Sequence, residues 1–515
     1  MGRMRLLLVS LMCVLLLLAY AGSLPATQIA WADMPPVGTQ QFDVEQQFTH
    51  AIPMDEEAVP FGEGLPPCLS SQVQPRCYSP QQIRRAYQIE PLLNRGISGQ
   101  GQTIVIIDFF QSPTVREDLR LFDQLFGLPE PSLTIYTPSG TVPFDSNDRA
   151  QRLAAIETNL DVQWAHAIAP GAAIALVLSR TEESDDVYAA TKFAIEQHLG
   201  TVISQSFGIS EAELPADFMQ KEHALFVEAR AQGISVFASS GDRGTLAPIY
   251  GGMPRRLQSF GTGVDFPASD PLVTGVGGTS LFLGPDGSYE GETVWSNLQG
   301  APGGGFSRIF SRPAYQEGFV GTNTMRSVPD VAYVADPTTG VAVVTTIVPG
   351  HPMIIPLGGT SAGSPQWAAI AALGNQLAGR PLGFLNPSFY QIGRGPLYKE
   401  TFHDITSGSN AYTLKTLQLS YTLPGYEAAP GWDPATGLGT PIATPLLLAL
   451  ASRHYPRHPA RRMPLITAHK IGSIGCSRFP KLHRVKKQTI HHHHQSRWWL
   501  HNHKLQPKKH LSRTP

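Results

Sequence analysis

Short apolar runs alternate with amphipathic stretches over most of this chain, and that alternation limits what it can fold into. Residues 103–107, 172–178, 201–204, 234–238 and 272–276 read as buried strands; residues 118–126, 150–167, 186–197 and 216–232 read as helices between them. Strands that are apolar on both faces, separated by helices, predict an α/β fold: a doubly wound, mainly parallel sheet covered by helices on both faces, in one large domain. A helical pattern from Ser79 to Leu92 leads into it.

The ends of the chain have a different composition. Arg3 and Arg5, an apolar run from Leu6 to Leu18 and small residues before Gly22 describe a secretory signal over 1–21, with a core too short for a comfortable membrane span. Export is therefore expected, with no integral membrane association. Residues 22–77 are rich in Pro, Gln and Gly and read as a short extended leader. In an oxidising compartment Cys68 and Cys77 suit one small disulfide, the alternative being two free buried thiols. The stretch 456–515 is basic and His-rich, and it reads as a disordered tail. From Arg453 onward there are 15 Lys and Arg and no Asp or Glu, so the remainder carries 24 basic against 40 acidic residues, a net of −16. An acidic, Lys-poor body suits an acidic medium and gives no basic face for nucleic acid.

Three segments carry chemistry. The first is Gly358-Gly359-Thr360-Ser361-Ala362-Gly363-Ser364-Pro365, between the apolar run 353–357 and a small-residue stretch, which puts Ser361 near a helix N-terminus where backbone N–H groups favour an oxyanion. By itself Gly-Thr-Ser before a helix is also a plain turn and N-cap.

A serine nucleophile needs a base, yet no histidine upstream of the tail (His50, His166, His198, His223, His351, His403) stands in a His-Gly-Thr-His-like context. Glu157 and Asp161, at i and i+4 of a helix, lie on one face; the alternative is a solvated acidic face. Carboxylates this close share protons, so Glu157 suits the base toward Ser361 with Asp161 orienting it. The third segment, Phe237-Ala238-Ser239-Ser240-Gly241-Asp242, ends an apolar strand in a glycine turn. Asp242, if protonated, is placed to donate to an oxyanion, and taken singly it is a turn residue.

Together these segments resemble the sedolisin family of serine-carboxyl peptidases, acid-acting enzymes with a subtilisin-like fold. The resemblance runs from about Tyr78 to Leu450. It extends to Glu157-x-x-Leu-Asp161-Val-Gln-Trp, Ala169-Pro-Gly-Ala, Ser239-Ser-Gly-Asp242-x-Gly244, Phe266-Pro-Ala-Ser, Val276-Gly-Gly-Thr279, Gly303-Gly-Gly-Phe306-Ser307, Arg326-x-Val-Pro-Asp330-Val and Ala335-Asp-Pro. It implies a peptidase domain over 78–455 with Ser361 as nucleophile, Glu157 as general base, Asp161 behind it and Asp242 as the oxyanion-site acid. It also implies one structural calcium ion, held by the carboxylates of Asp404 and Asp433 and the carbonyls of Ile405, Ala429 and Gly431.

Two departures stand out. The stretch ahead of Tyr78 is too short and Pro-rich for the long folded propeptide usual in the family. In Ser204-Gln205-Ser206-Phe207-Gly208 a Phe stands where Trp is frequent, although the backbone of Phe207 and Gly208 still suits pairing with an extended substrate. The expectation is a secreted, monomeric, acid-acting serine-carboxyl endopeptidase for proteins or peptides. Its alternatives are a tripeptidyl-peptidase acting on free N-termini and an inactive secreted binding protein on the same scaffold.

Overall fold

The computed structural model describes residues 51–452, apart from 55–56, 72–73, 252–255, 349 and 416–419. The expected signal over 1–21, the first part of the leader and the basic tail lie outside the described residues.

The central sheet runs, across its width, Ser132–Tyr136, Ala173–Ser179, Thr103–Phe109, Val202–Gln205, Ser235–Ser239 and Thr274–Leu283. These neighbours are all parallel. Beyond them Val331–Val334 pairs in parallel with Thr274–Leu283, and Tyr289–Val294 is the antiparallel edge. Ile104, Val105, Ile106 and Ile107 are all fully buried, which is why these strands read as unbroken apolar runs. Strand order reverses at Thr103–Phe109, which has later strands on either side, so the carboxyl end of this strand opens onto the switch-point crevice where α/β folds place ligands.

The five strands predicted from sequence are present, four with small end shifts and the last running Thr274–Leu283 rather than 272–276. The helices are Val115–Phe126, Arg149–Ile168, Ser184–Glu196 and Ala216–Ala231. The 79–92 pattern breaks into Pro80–Ala86 and Glu90–Leu93, the first opened by a capping box between Ser79 and Gln82.

The Arg149–Ile168 helix begins at Asp148, whose carboxylate accepts the N–H groups of Ala150 and Gln151. Every residue from Ala154 to Ile168 is buried, so the helix has no solvated face. It packs against the Gly363–Ala378 helix and the Thr339–Val348 strand. Burial on all sides removes the reading of Glu157 and Asp161 as a solvated acidic face.

A second sheet positions Ser361. Thr339–Val348 and His351–Gly358 form an antiparallel pair, and the latter runs straight into a 3-10 turn, Thr360–Ala362, and the Gly363–Ala378 helix. Part of the leader belongs to this sheet: Ile52–Pro53 and Val59–Pro60 pair with His351–Gly358, and Arg76–Tyr78 pairs with Thr339–Val341. Cys68 and Cys77 are bonded to each other.

Candidate active site

Ser361 sits in the 3-10 turn ahead of the Gly363–Ala378 helix, 1% exposed. Its Oγ donates to the Ser206 carbonyl at 3.2 Å, and the Ser206 hydroxyl returns a bond to the Ser361 carbonyl at 3.3 Å. The turn is possible because Gly359 has φ +105°; a Cβ there would stand 2.6 Å from Asp242 Oδ2.

Glu157 and Asp161 point to the same place, 2% and 0% exposed. Burial pushes the Glu157 carboxyl well above the usual carboxylate range, and the Asp108 carboxyl adds to this; the Ala51 N–H and the Ser361 hydroxyl pull it back. Asp161 is raised by burial, then by Asp108 and Glu157, and the adjacent Ser206 hydroxyl lowers it. A backbone N–H on Oε2 and the Ser361 hydroxyl both favour a charge on Glu157.

Asp108 is the third carboxyl, and the sequence reading did not single it out. It is 1% exposed at the carboxyl end of the Thr103–Phe109 strand, and burial pushes it up to about 7. The signal was available: an Asp closing a buried parallel strand is the pattern that drew attention to Asp242.

Asp242 follows the Ser235–Ser239 strand and is tied to the turn that carries Ser361. Its Oδ1 accepts the Thr360 N–H at 2.7 Å and the Thr360 hydroxyl at 2.8 Å. The Gly303–Gly305 run makes a close backbone approach, because a Cβ on Gly303 would lie 1.8 Å from the Ser240 carbonyl oxygen. The structure thus brings Glu157, Asp161, Ser361 and Asp242 to one crevice.

Phe207 turns its side chain inward, 2% exposed, with its ring 4.8 Å from that of Phe109. Gly208 lies against Asp265, whose Cβ would be 3.0 Å from a Cβ on the glycine. Asp265 also reaches Gly241, and burial pushes it up to about 7. It too was missed, standing in sequence as one more Asp before Phe-Pro.

The expected calcium ligands lie on two segments, 404–405 and 429–433, joined by the Gly431 N–H. Both oxygens of Asp404 accept the Gly431 N–H, at 3.0 and 3.1 Å; Asp433 accepts the N–H groups of Ala429, Ala435 and Thr436. Among the described residues no group of three or more His, Cys, Asp or Glu side chains is arranged to hold a metal ion.

No family model matches the chain. Among curated proteins it is 35% identical over 391 residues to kumamolisin of Bacillus sp. (strain MN-32), covering 74% of this chain and 65% of that protein. It is 31% identical over 401 residues to tripeptidyl-peptidase 1 of Mus musculus, covering 72% and 64%. The chain thus spans just under two thirds of the length of these relatives. Among solved structures it matches Pseudomonas sedolisin, a serine-carboxyl proteinase complexed with two molecules of pseudo-iodotyrostatin, at 27% identity and a TM-score of 0.62, covering 74% of this chain and 99% of that one. With these relatives, this fold and this constellation of residues, the chain belongs to the sedolisin family of serine-carboxyl peptidases.

Proposed function

We propose that this chain is an exported, acid-acting serine-carboxyl endopeptidase that cuts proteins or peptides through an acyl-enzyme on Ser361. The observation that carries the reading is the buried carboxyl cluster beside Ser361: Asp108 raises Glu157, Asp108 and Glu157 raise Asp161, and the Ser361 hydroxyl pulls Glu157 back toward its charged form.

The residues suit a specific sequence of proton movements. Glu157 takes the Ser361 proton as Oγ attacks the substrate carbonyl, and a protonated Asp242 donates to the oxyanion that forms. Collapse expels the amine, which receives the proton from Glu157. Water then repeats the sequence against the acyl-enzyme. Asp161 and Asp108 keep protons in acid, so Glu157 acquires and gives up charge without two further anions beside it.

Internal cutting is the reading preferred here, with tripeptide release from free N-termini as its alternative. Peptides with blocked and free N-termini separate the readings: equal cutting supports the endopeptidase, and tripeptides released from free ends alone support the other.

Calcium is proposed for the Asp404 and Asp433 loop, with the carbonyls of Ile405, Ala429 and Gly431 completing an all-oxygen set. The ion would clamp the loop rather than take part in the reaction. The residues fit it in one respect: Asp433, 3% exposed, lies in the segment whose Gly431 N–H is bound by the second carboxylate, Asp404.

The Ser361→Ala variant tests the assignment. Hydrolysis of an unstructured protein is expected to vanish while the thermal unfolding midpoint holds; hydrolysis at the parent rate would remove Ser361 from the reaction.

A further inference from the structure

A hollow opens one residue beyond the contacts of Ser361. Ser206, whose carbonyl accepts the Ser361 hydroxyl, is followed by Phe207 and Ile209, and these two form its buried floor with Phe266 and Pro267. Ile209 and Phe266 are held side by side by antiparallel pairing. The rim comes from the first turns of the Ser184–Glu196 and Ala216–Ala231 helices, through the half-buried Ser184 and Phe218. The first of these helices and the 206–209 segment both follow the carboxyl ends of parallel strands, the side of the sheet on which α/β folds bind ligands.

Inside the rim the lining is apolar except at Glu222. Four residues on from Phe218, and so on the same helix face, Glu222 is 4% exposed and lines the hollow without a hydrogen-bond partner among the described residues. The neighbouring cation is engaged elsewhere: Lys221 Nζ lies 3.8 Å from the centre of the Tyr188 ring and 3.3 Å from Asp185 Oδ1. The nearby Asp270 carboxylate is held by His223 at 2.7 Å and by the Leu272 N–H at 2.8 Å. Burial pushes the Glu222 carboxyl up to about 8, with Asp270 adding to this and Lys221 opposing it. Glu222 therefore keeps its proton in acid and can both donate and accept. A buried polar group with no partner costs stability, and a position of purely structural use on this face would suit an apolar side chain, as at Met219, Leu225 and Phe226.

We propose that this hollow is a specificity pocket for one side chain of an extended substrate, and that it takes a tyrosine whose ring packs among Phe207, Phe218 and Phe266 and whose hydroxyl bonds to the Glu222 carboxyl. The inference rests on the peptidase reading above, with substrate laid along Phe207 and Gly208. In strand addition the backbone gives affinity and pockets beside it read alternate side chains. Aromatic walls suit a ring, and a phenolic O–H gives Glu222 its missing partner. Phenylalanine in the same place fills the walls and leaves the carboxyl unpartnered. An acidic side chain brings a second carboxyl against Glu222, and a lysine has to displace the Glu222 proton in an apolar surround.

The test uses the full chain at about pH 4, inside the carboxylate range. Peptides with one fixed cut site carry Tyr, Phe, Lys or Glu in turn at each position within about four residues of the cut, the reach of an extended chain over this hollow. Each is offered with blocked and with free N-termini, and products are read by mass spectrometry. At one position kcat/KM for Tyr is expected to exceed that for Phe roughly 2- to 10-fold, the worth of one neutral hydrogen bond, with Lys and Glu below both. Glu222→Leu is expected to bring the Tyr-to-Phe ratio to about one or lower, whereas Glu222→Gln, which keeps a donor and an acceptor, retains most of it. A parent ratio near one at every position, a ratio that survives in Glu222→Leu, or a preference for Lys or Glu where Tyr is expected overturns the inference alone. Failure of the parent chain to cut any of the peptides overturns the peptidase reading beneath it.

Discussion

The carboxylate of Asp242 accepts both the backbone N–H and the hydroxyl of Thr360, the residue immediately before Ser361. The acid proposed for the oxyanion is therefore fixed to the turn that carries Ser361. Asp242→Ala is expected to lower kcat by about 10²–10³ while KM changes little, the usual result of losing an oxyanion donor. Asp242→Asn keeps a donor that does not titrate, so it is expected to retain more activity and to lose the decline of kcat/KM toward neutral pH. Matching pH profiles for the Asp242→Asn variant and the parent enzyme would count against a protonated Asp242.

Asp108 titrates at about 7 in the fold because burial disfavours its charge. The folded state then holds a proton that the unfolded chain releases near pH 4. Its contribution to stability is complete in acid and is lost as pH rises through about 7, at up to about 1.4 kcal/mol per pH unit. Asp108→Asn is expected to match the parent near pH 4 and to exceed it near pH 7 in urea unfolding. Parallel losses for the two proteins between those pH values would show that Asp108 is not held protonated.

Gly359 combines φ +105° with the carboxylate of Asp242 where a side chain would begin. Gly359→Ala is expected to cost about 1–3 kcal/mol from backbone strain and to shift Asp242 out of place. Activity should fall far more than stability, and a variant with parent kcat would show that the turn tolerates a side chain.

Chelation tests the calcium reading. A metal bound only by the folded chain stabilises it by mass action, so EDTA should lower the thermal midpoint and added Ca²⁺ should restore it. Asp433→Asn should already be destabilised and should respond less to either treatment. An EDTA-insensitive midpoint in the parent would leave the Asp404 and Asp433 loop held by its own hydrogen bonds.

Much of the fold was legible because the central strands are buried on both faces and leave continuous apolar runs, as at Ile104 to Ile107. The Ser132–Tyr136 strand was not, since it sits at the sheet edge with Ser132 and Thr134 exposed and no apolar run. The pairing of the leader with the His351–Gly358 strand was also hidden, because it is long-range and made by backbone groups that carry no residue signature. Within the site, Ser361, Glu157, Asp161 and Asp242 stand in recognisable local patterns. Asp108, at the end of a buried strand, carried the same signal as Asp242 and was passed over, whereas Asp265 is marked only by what folds around it.

The central claim is that a buried carboxyl set, rather than a histidine, drives Ser361. Cleavage of an unstructured protein followed from about pH 2 to 8, across the carboxylate and histidine ranges, with products identified by mass spectrometry, tests it most directly. The account predicts internal cuts that peak in acid, fade toward neutrality and disappear in Ser361→Ala. Activity that rises through pH 6 to a neutral plateau would contradict it.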